Sequence, residues 1–284
     1  MSARIAEVTG RYLYLDVQGV EYRVYFEEAG EGIPVVLQHT AGCDARQWRH
    51  LLEDPDFTSR YRLIAPDLPF HGRSLPPESQ EWWTEEYSLR QDFFLAFHVA
   101  LVEALGLERP VYAGCSMGGH LAPDLALYHP GLYKAAIGIE AALNSHGVER
   151  ILPWLHHPRI NNDSKPALMH TMCAPQSPER YKRETTFVYS QGAPAVFKGD
   201  LNYYLVEHDL TEDAKKIDTS QTALYVLNGE YDWSAPPMAG AALAAEVDGA
   251  TATAMQEVGH FAMSENPEVF KKYFLPILEQ AAAR

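Results

Sequence analysis

One six-residue stretch, Gly114-Cys115-Ser116-Met117-Gly118-Gly119, constrains this chain more than any other. The short apolar run Pro110-Val111-Tyr112-Ala113 leads into it, and an amphipathic run from Leu121 to Tyr128 follows. A Gly-x-Ser-x-Gly sequence set between a strand and a helix implies a sharp turn with the serine at its apex. Backbone at such an apex is strained, and Gly114 and Gly118 keep its flanks free of side chains. The hydroxyl of Ser116 is then held above the sheet. The amide of Met117, at the helix start, points where negative charge on a substrate oxygen would develop. Without that context the stretch is only a glycine-rich turn, so the remaining chain has to decide.

The chain has 284 residues, enough for one large domain or a domain carrying an insertion. With 46% apolar residues, 16 tyrosines and 11 phenylalanines it can bury a sizeable core. A formal net charge of -15 disfavours nucleic acid and anionic membrane as partners. The N-terminal residues lack an apolar secretory core, and no run reaches transmembrane length. Cys43, Cys115 and Cys173 are widely spaced and odd in number, which reads as reduced thiols in a cytoplasmic protein.

In chain order, alternating runs at Arg11 to Asp16 and Val20 to Phe26, separated by Gln18-Gly19, predict a hairpin. Pro34 to Gln38 and Tyr61 to Ala65 predict short buried strands, with a helix starting near Ala45 between them. Thr84 followed by Glu85 and Glu86 predicts a helix start, with Leu89, Phe93, Phe97, Leu101 and Leu105 on its buried face. Pro123 predicts a kink in the helix after the serine turn. Ala135 to Ile139, Thr222 to Leu227 and Thr251 to Glu257 predict further strands, and Pro237 to Glu246 and Pro267 to Ala282 helices.

Between the strands near 139 and 222 the alternation of strand and helix stops. The segment is too long for a plain loop. It predicts a mainly helical insertion over residues 143–220, with the core formed by 1–142 and 221–284. Such a segment crosses above the strand ends. Trp154, Met172, Tyr203 and Tyr204 are its candidate substrate-lining side chains, although aromatic and sulfur side chains equally build an insertion's own core.

Short buried strands alternating with helices imply an α/β class with a mostly parallel sheet, and chemistry gathers at the carboxyl ends of such strands. Ser116, Asp232 and His260 each follow a different predicted strand, in the order nucleophile, acid, histidine. With this order, the elbow, the Asn228-Gly229-Glu230-Tyr231-Asp232 stretch and the Gly259-His260-Phe261 stretch, the chain resembles the alpha/beta-hydrolase superfamily in its cap-bearing form. The loop Asp67-Leu68-Pro69-Phe70-His71-Gly72-Arg73-Ser74 adds to the resemblance, with Pro69-Phe70 where Arg-Gly is usual. The resemblance implies that His39 to Trp48 is an oxyanion loop, in which Thr40 replaces a common glycine. It places the Ala41 amide beside that of Met117.

In this reading Ser116 attacks a carbonyl carbon, His260 takes and returns the proton, and Asp232 holds the imidazole. Glu140, at the end of the preceding strand, and Glu230 are rival acids. His39, Asp67 and His71 read as scaffold, Arg46 and Trp48 as anchors of the helix after the oxyanion loop, and Cys115 as a packed residue. His120 with Asp124, and His156-His157 with Asp163, lack the further ligand that a metal site needs, so no metal is expected. There is no dinucleotide or phosphate loop, so no cofactor is expected.

The expected activity is hydrolysis of a small or medium carboxylic ester, lactone or thioester through an acyl-enzyme. Two alternatives stand beside it: hydrolysis of a carbon-carbon bond next to a ketone, and slow hydrolysis by a small-ligand receptor. Ring-cleavage-product hydrolases of the superfamily often have Trp after the catalytic histidine, where this chain has Phe261. The partner is a small molecule; formation of a homo-oligomer is left open.

Overall fold

The computed structural model describes residues 3–156 and 164–284; the side chains of Glu149 and Trp154 also lie outside the described residues. Eight strands form one sheet: β1 (Thr9–Val17), β2 (Val20–Ala29), β3 (Ile33–Gln38), β4 (Tyr61–Pro66), β5 (Val111–Cys115), β6 (Ala135–Ile139), β7 (Ala223–Gly229) and β8 (Thr251–Met255). Their order is β1-β2-β4-β3-β5-β6-β7-β8. The β1–β2 hairpin and the β2–β4 pair are antiparallel; every other pair is parallel. The central strands β5, β6 and β7 are buried along their whole length, which explains their unbroken apolar sequences.

The sheet is covered on both faces. One face packs against α1 (Gln91–Ala104) and α2 (Met117–Tyr128), through Phe94, Phe97, Leu101 and Leu121. The other buries Trp48, Phe57, Phe270 and Phe274. Between β6 and β7 the chain forms α3 (Ser164–Met172), α4 (Glu179–Ser190), α5 (Val196–Asn202) and a π-helical turn, Tyr203–Glu207. These make a helical cap. The core resumes with α6 (Pro237–Glu246) and closes with α7 (Pro267–Ala282).

Two local expectations are corrected. Thr84 does not start the long helix: it ends a short 3-10 turn, Trp82–Thr84, and α1 begins at Gln91. The intervening chain is tied to the cap instead, with the Leu89 amide donating to the Gly199 carbonyl at 2.9 Å. That tertiary bond removes Leu89 from the helix and rotates the buried face to Phe94, Phe97, His98 and Leu101. The stretch after β3 is also more broken than predicted, with a 3-10 turn at Ala45–Trp48, one helical turn at Arg49–Leu52 and another at Pro55–Thr58. Pro123 lies inside α2, which runs on to Tyr128.

Close packing at the β5–α2 junction has a measurable consequence. A Cβ on Gly119 would lie 2.0 Å from the Ile139 carbonyl oxygen, and one on Gly114 2.4 Å from the Gly118 carbonyl oxygen. Both obstacles are backbone, so they cannot rotate away. Gly119→Ala is expected to cost about 3 kcal/mol or more, at the upper end of what overpacking a core does. Urea denaturation read by circular dichroism checks this.

Candidate active site

Ser116 sits between β5 and α2 with φ 56° and ψ −115°, a left-handed backbone that an L residue holds only under constraint. Its amide donates to Ile139 O at 2.8 Å. Its carbonyl accepts from the His120 amide at 2.8 Å and from His120 Nδ1 at 3.0 Å. Burial and the neighbouring His208 push the His120 pKa well down, so the ring is neutral and donates from Nδ1. His120 therefore braces the turn, and Asp124 one helical turn on serves a different network.

His260 follows β8 and lines the same cavity as Ser116. Its Nδ1 lies 2.8 Å from Asp232 Oδ2 and 3.1 Å from Ser234 Oγ. Asp232 also accepts from the Ser234 amide at 2.8 Å and its hydroxyl at 2.7 Å. Burial opposes ionisation of Asp232, but the imidazole and the Ser234 donors outweigh it and hold the pKa at about 2. This favours the Nδ1–H tautomer, in which Nε2 carries the free lone pair.

Glu140 has the opposite character. It is fully buried at the end of β6 with φ 54°, and the Gly229 amide donates to its two oxygens at 2.9 and 3.0 Å. Burial, then the nearby Asp232 charge, push its pKa well up. It is a neutral strand-end brace, while Asp232 holds the histidine.

The loop expected to supply an oxyanion donor follows β3. Thr40, Gly42 and Cys43 all commit their amides, to Gln47 Oε1, Asp200 Oδ2 and Thr40 O. The Ala41 amide has no partner among the described residues, and neither has that of Met117 at the first turn of α2. Ala41 and Ser116 line one cavity, so two uncommitted donors stand beside the serine. His39 accepts the Leu68 amide at Nε2 (3.1 Å) and donates from Nδ1 to Thr40 O (2.8 Å), as a loop brace. Asp67 accepts the Ala45 and Arg73 amides, both at 2.8 Å.

The cap supplies a residue that sequence reading missed. Asp200, on α5 and fully buried, accepts the Gly42 amide at 2.6 Å, His71 Nε2 at 2.7 Å and Tyr87 Oη at 2.9 Å. Burial disfavours a charged His71, yet the Asp200 carboxyl outweighs it and raises the pKa. One carboxyl thus ties cap, oxyanion loop and core loop together. Its sequence signal was weak, because the stretch Val196 to Leu205 also carries Lys198 and Asn202 and does not single out Asp200. Ser234 was missed as well, although an Asp-x-Ser spacing is a local signal for a hydroxyl bonded to that aspartate.

Met172 and Tyr204 line the cavity with Met169, Tyr189, Phe197 and Phe261. The Met172 carbonyl also accepts the His260 amide at 3.0 Å, so the cap backbone positions the histidine. Tyr203 is corrected: it is not among the cavity-lining residues. Its hydroxyl donates to Asp124 at 2.6 Å, and its ring packs edge-on against Phe94 with centroids 5.2 Å apart. The π-helical turn sends Tyr203 toward the core and Tyr204 toward the cavity. The Trp154 side chain, His157 and Asp163 lie outside the described residues. Among the described residues no group of three or more metal-ligating side chains occurs. No helix among them is long and apolar enough to cross a membrane.

Two predictions separate these roles. Asp232→Asn is expected to lower kcat by roughly 10³- to 10⁴-fold through the wrong tautomer, and Glu140→Gln by less than about tenfold. Steady-state kinetics on both purified variants checks this; the reverse order would make Glu140 the orienting acid. Asp200→Asn is expected to lower kcat more than it raises KM, by up to about 10²-fold, because it loosens an oxyanion donor rather than a binding contact. The same kinetics beside a melting curve for each variant reads that split.

Comparison with known proteins agrees with this architecture. A family model described as alpha/beta hydrolase fold matches residues 33–163. The 2-hydroxy-6-oxo-6-(2'-aminophenyl)hexa-2,4-dienoic acid hydrolase of Metapseudomonas resinovorans is 24% identical, over 95% of this chain and 91% of its own. A thermophilic esterase from Thermogutta terrifontis superposes with a TM-score of 0.81 at 18% identity, covering 96% of this chain and 99% of that one. A meta-cleavage product hydrolase from Pseudomonas fluorescens IP01 superposes with a TM-score of 0.74 at 20% identity, covering 95% and 98%. With the strand order, the elbow, the strand-end acid and histidine and the helical cap all in place, the chain has the alpha/beta-hydrolase fold with a helical cap.

Proposed function

We propose that this protein hydrolyses a carbon-carbon bond beside a ketone, in a substrate whose second carbonyl or enol oxygen can take up the electron pair of the broken bond. The observation that carries this reading is near-complete coverage between this chain and curated relatives named for such substrates, the Metapseudomonas enzyme above all. Ser116 Oγ, deprotonated by His260 Nε2, bonds to the ketone carbon, and the Ala41 and Met117 amides hold the resulting oxyanion. The bond to the adjacent carbon then breaks. Its electron pair moves into the conjugated system toward the second oxygen, and the proton on His260 passes to the leaving fragment. Water, activated by the same histidine, cleaves the acyl-serine. The sum is ketone plus water giving a carboxylic acid and a protonated fragment.

Carboxylic ester hydrolysis is the second reading, and Phe261 favours it, because many ring-cleavage-product hydrolases carry Trp there. The same machinery serves both, since only the leaving atom differs. Carbon leaves with a far less stable charge than oxygen, so it needs conjugation in the substrate and a well-placed proton donor.

A panel of 2-hydroxy-6-oxohexa-2,4-dienoates and simple aryl esters, with products identified by mass, tests the assignment. The expected result is dienoate cleavage with a kcat/KM at least about tenfold above that for the esters, and loss of both activities in Ser116→Ala. Ester turnover with an untouched dienoate would replace the first reading by the second. Full activity in Ser116→Ala would remove both.

A further inference from the structure

The cavity over Ser116 is apolar on most sides, with one exception that the catalytic scheme leaves unused. Tyr204 is 4% exposed, lines the cavity, and its hydroxyl has no hydrogen-bond partner among the described residues. Ser145 and Ser234 are near enough to act on it electrostatically, but neither meets it in a well-formed hydrogen bond. Ser145 Oγ is engaged with His120 Nε2, and Ser234 Oγ donates to Asp232. Leaving a buried hydroxyl unpaired costs about 1–3 kcal/mol. A second buried tyrosine in the same cavity sets the contrast: the Tyr189 hydroxyl is bonded to Thr40 Oγ1.

The positions of the two tyrosines divide the cavity. Tyr189 stands on the oxyanion-loop side, against Thr40. Tyr204 stands on the Ser234 side: its ring packs edge-on against His120, centroids 4.5 Å apart, and its polar neighbour Ser234 meets His260 Nδ1 at 3.1 Å. His260 delivers its proton to the leaving fragment, so the leaving fragment occupies the Tyr204 side. Burial pushes the tyrosine pKa up, so the hydroxyl keeps its proton and acts as a donor across the working pH range.

We infer that the Tyr204 hydroxyl is an unassigned subsite that donates a hydrogen bond to a second oxygen of the substrate, a carbonyl or enol oxygen in the leaving fragment. This deepens the proposed function and rests on its placement of the leaving fragment. It identifies the substrate class as one with two oxygen functions on a common chain. The first is the electrophilic carbonyl at Ser116. The second is an acceptor met by a neutral donor. In a carbon-carbon cleavage that acceptor receives the departing electron pair, so the bond from Tyr204 strengthens as charge develops. Val148, Ile151, Leu201 and Leu205 give the same cavity apolar walls.

The test uses binding, which is independent of turnover. In a Ser116→Ala background, the affinities of 1-phenylhexane-1,5-dione and of 1-phenylhexan-1-one are measured by calorimetry, with and without Tyr204→Phe. The two ligands differ by one oxygen. With Tyr204 intact the dione is expected to bind about ten- to hundredfold tighter. With phenylalanine the preference falls to within about twofold. A melting curve for Tyr204→Phe is expected to match or exceed that of the parent, because only an unpaired hydroxyl is removed. No preference for the dione with Tyr204 intact, or a preference that survives Tyr204→Phe, overturns the subsite. Failure of the function itself reads differently, as a dienoate left uncleaved by the wild-type enzyme while the Tyr204-dependent preference persists.

Discussion

The structure depends on a turn that its own backbone resists. Ser116 is held at φ 56°, at a cost of roughly 1–3 kcal/mol that nothing local repays. The surroundings leave no alternative. The Ser116 amide and carbonyl are fixed by Ile139 and His120, and Tyr112 Oη donates to the Gly118 carbonyl at 2.7 Å. Gly119 presses directly on the β6 backbone. Strand, helix and neighbouring strand are therefore locked together before any chemistry is considered. The reward is a serine hydroxyl presented above the sheet beside two uncommitted amides.

Charge is arranged with equal economy. Asp232 and Glu140 lie at the ends of adjacent parallel strands, in a region with little water. Two carboxylates so placed do not both ionise cheaply. Asp232 has the imidazole and Ser234 as partners and keeps its charge; Glu140 has one amide and stays neutral. The result is one negative charge beneath His260, aimed at Nδ1. A second charge there would draw the imidazolium away from the position in which it must give up its proton.

The cap takes part in the catalytic geometry as well as covering it. Among the ties that cross from insertion to core are Asp200 to the Gly42 amide, Tyr203 and His208 to Asp124, and the Met172 carbonyl to the His260 amide. The first and third reach the oxyanion loop and the histidine itself. A cap displaced as a body would loosen both, so binding of a substrate against the cap and alignment of the reacting groups are coupled through short hydrogen bonds. Those ties are buried, where a hydrogen bond to an ionisable group is worth more than at a wet surface.

The sequence by itself determined the sheet-and-helix alternation, the elbow and the positions of Asp232 and His260, because each rests on local pattern. Strand runs such as Ala135–Ile139, and helices such as Pro237–Glu246 and Pro267–Ala282, carry their own periodicity and proline starts. The serine turn carries its own glycines. Only the tertiary structure decided which of two adjacent tyrosines faces the cavity, where α1 begins, and which of two strand-end acids is charged. Tyr203 is drawn to Asp124 across 79 residues of chain, Leu89 is held by Gly199, and the ionisation of Glu140 is set by its burial and by Asp232. Each outcome turns on a partner distant in sequence, and residue spacing does not encode that partner's position.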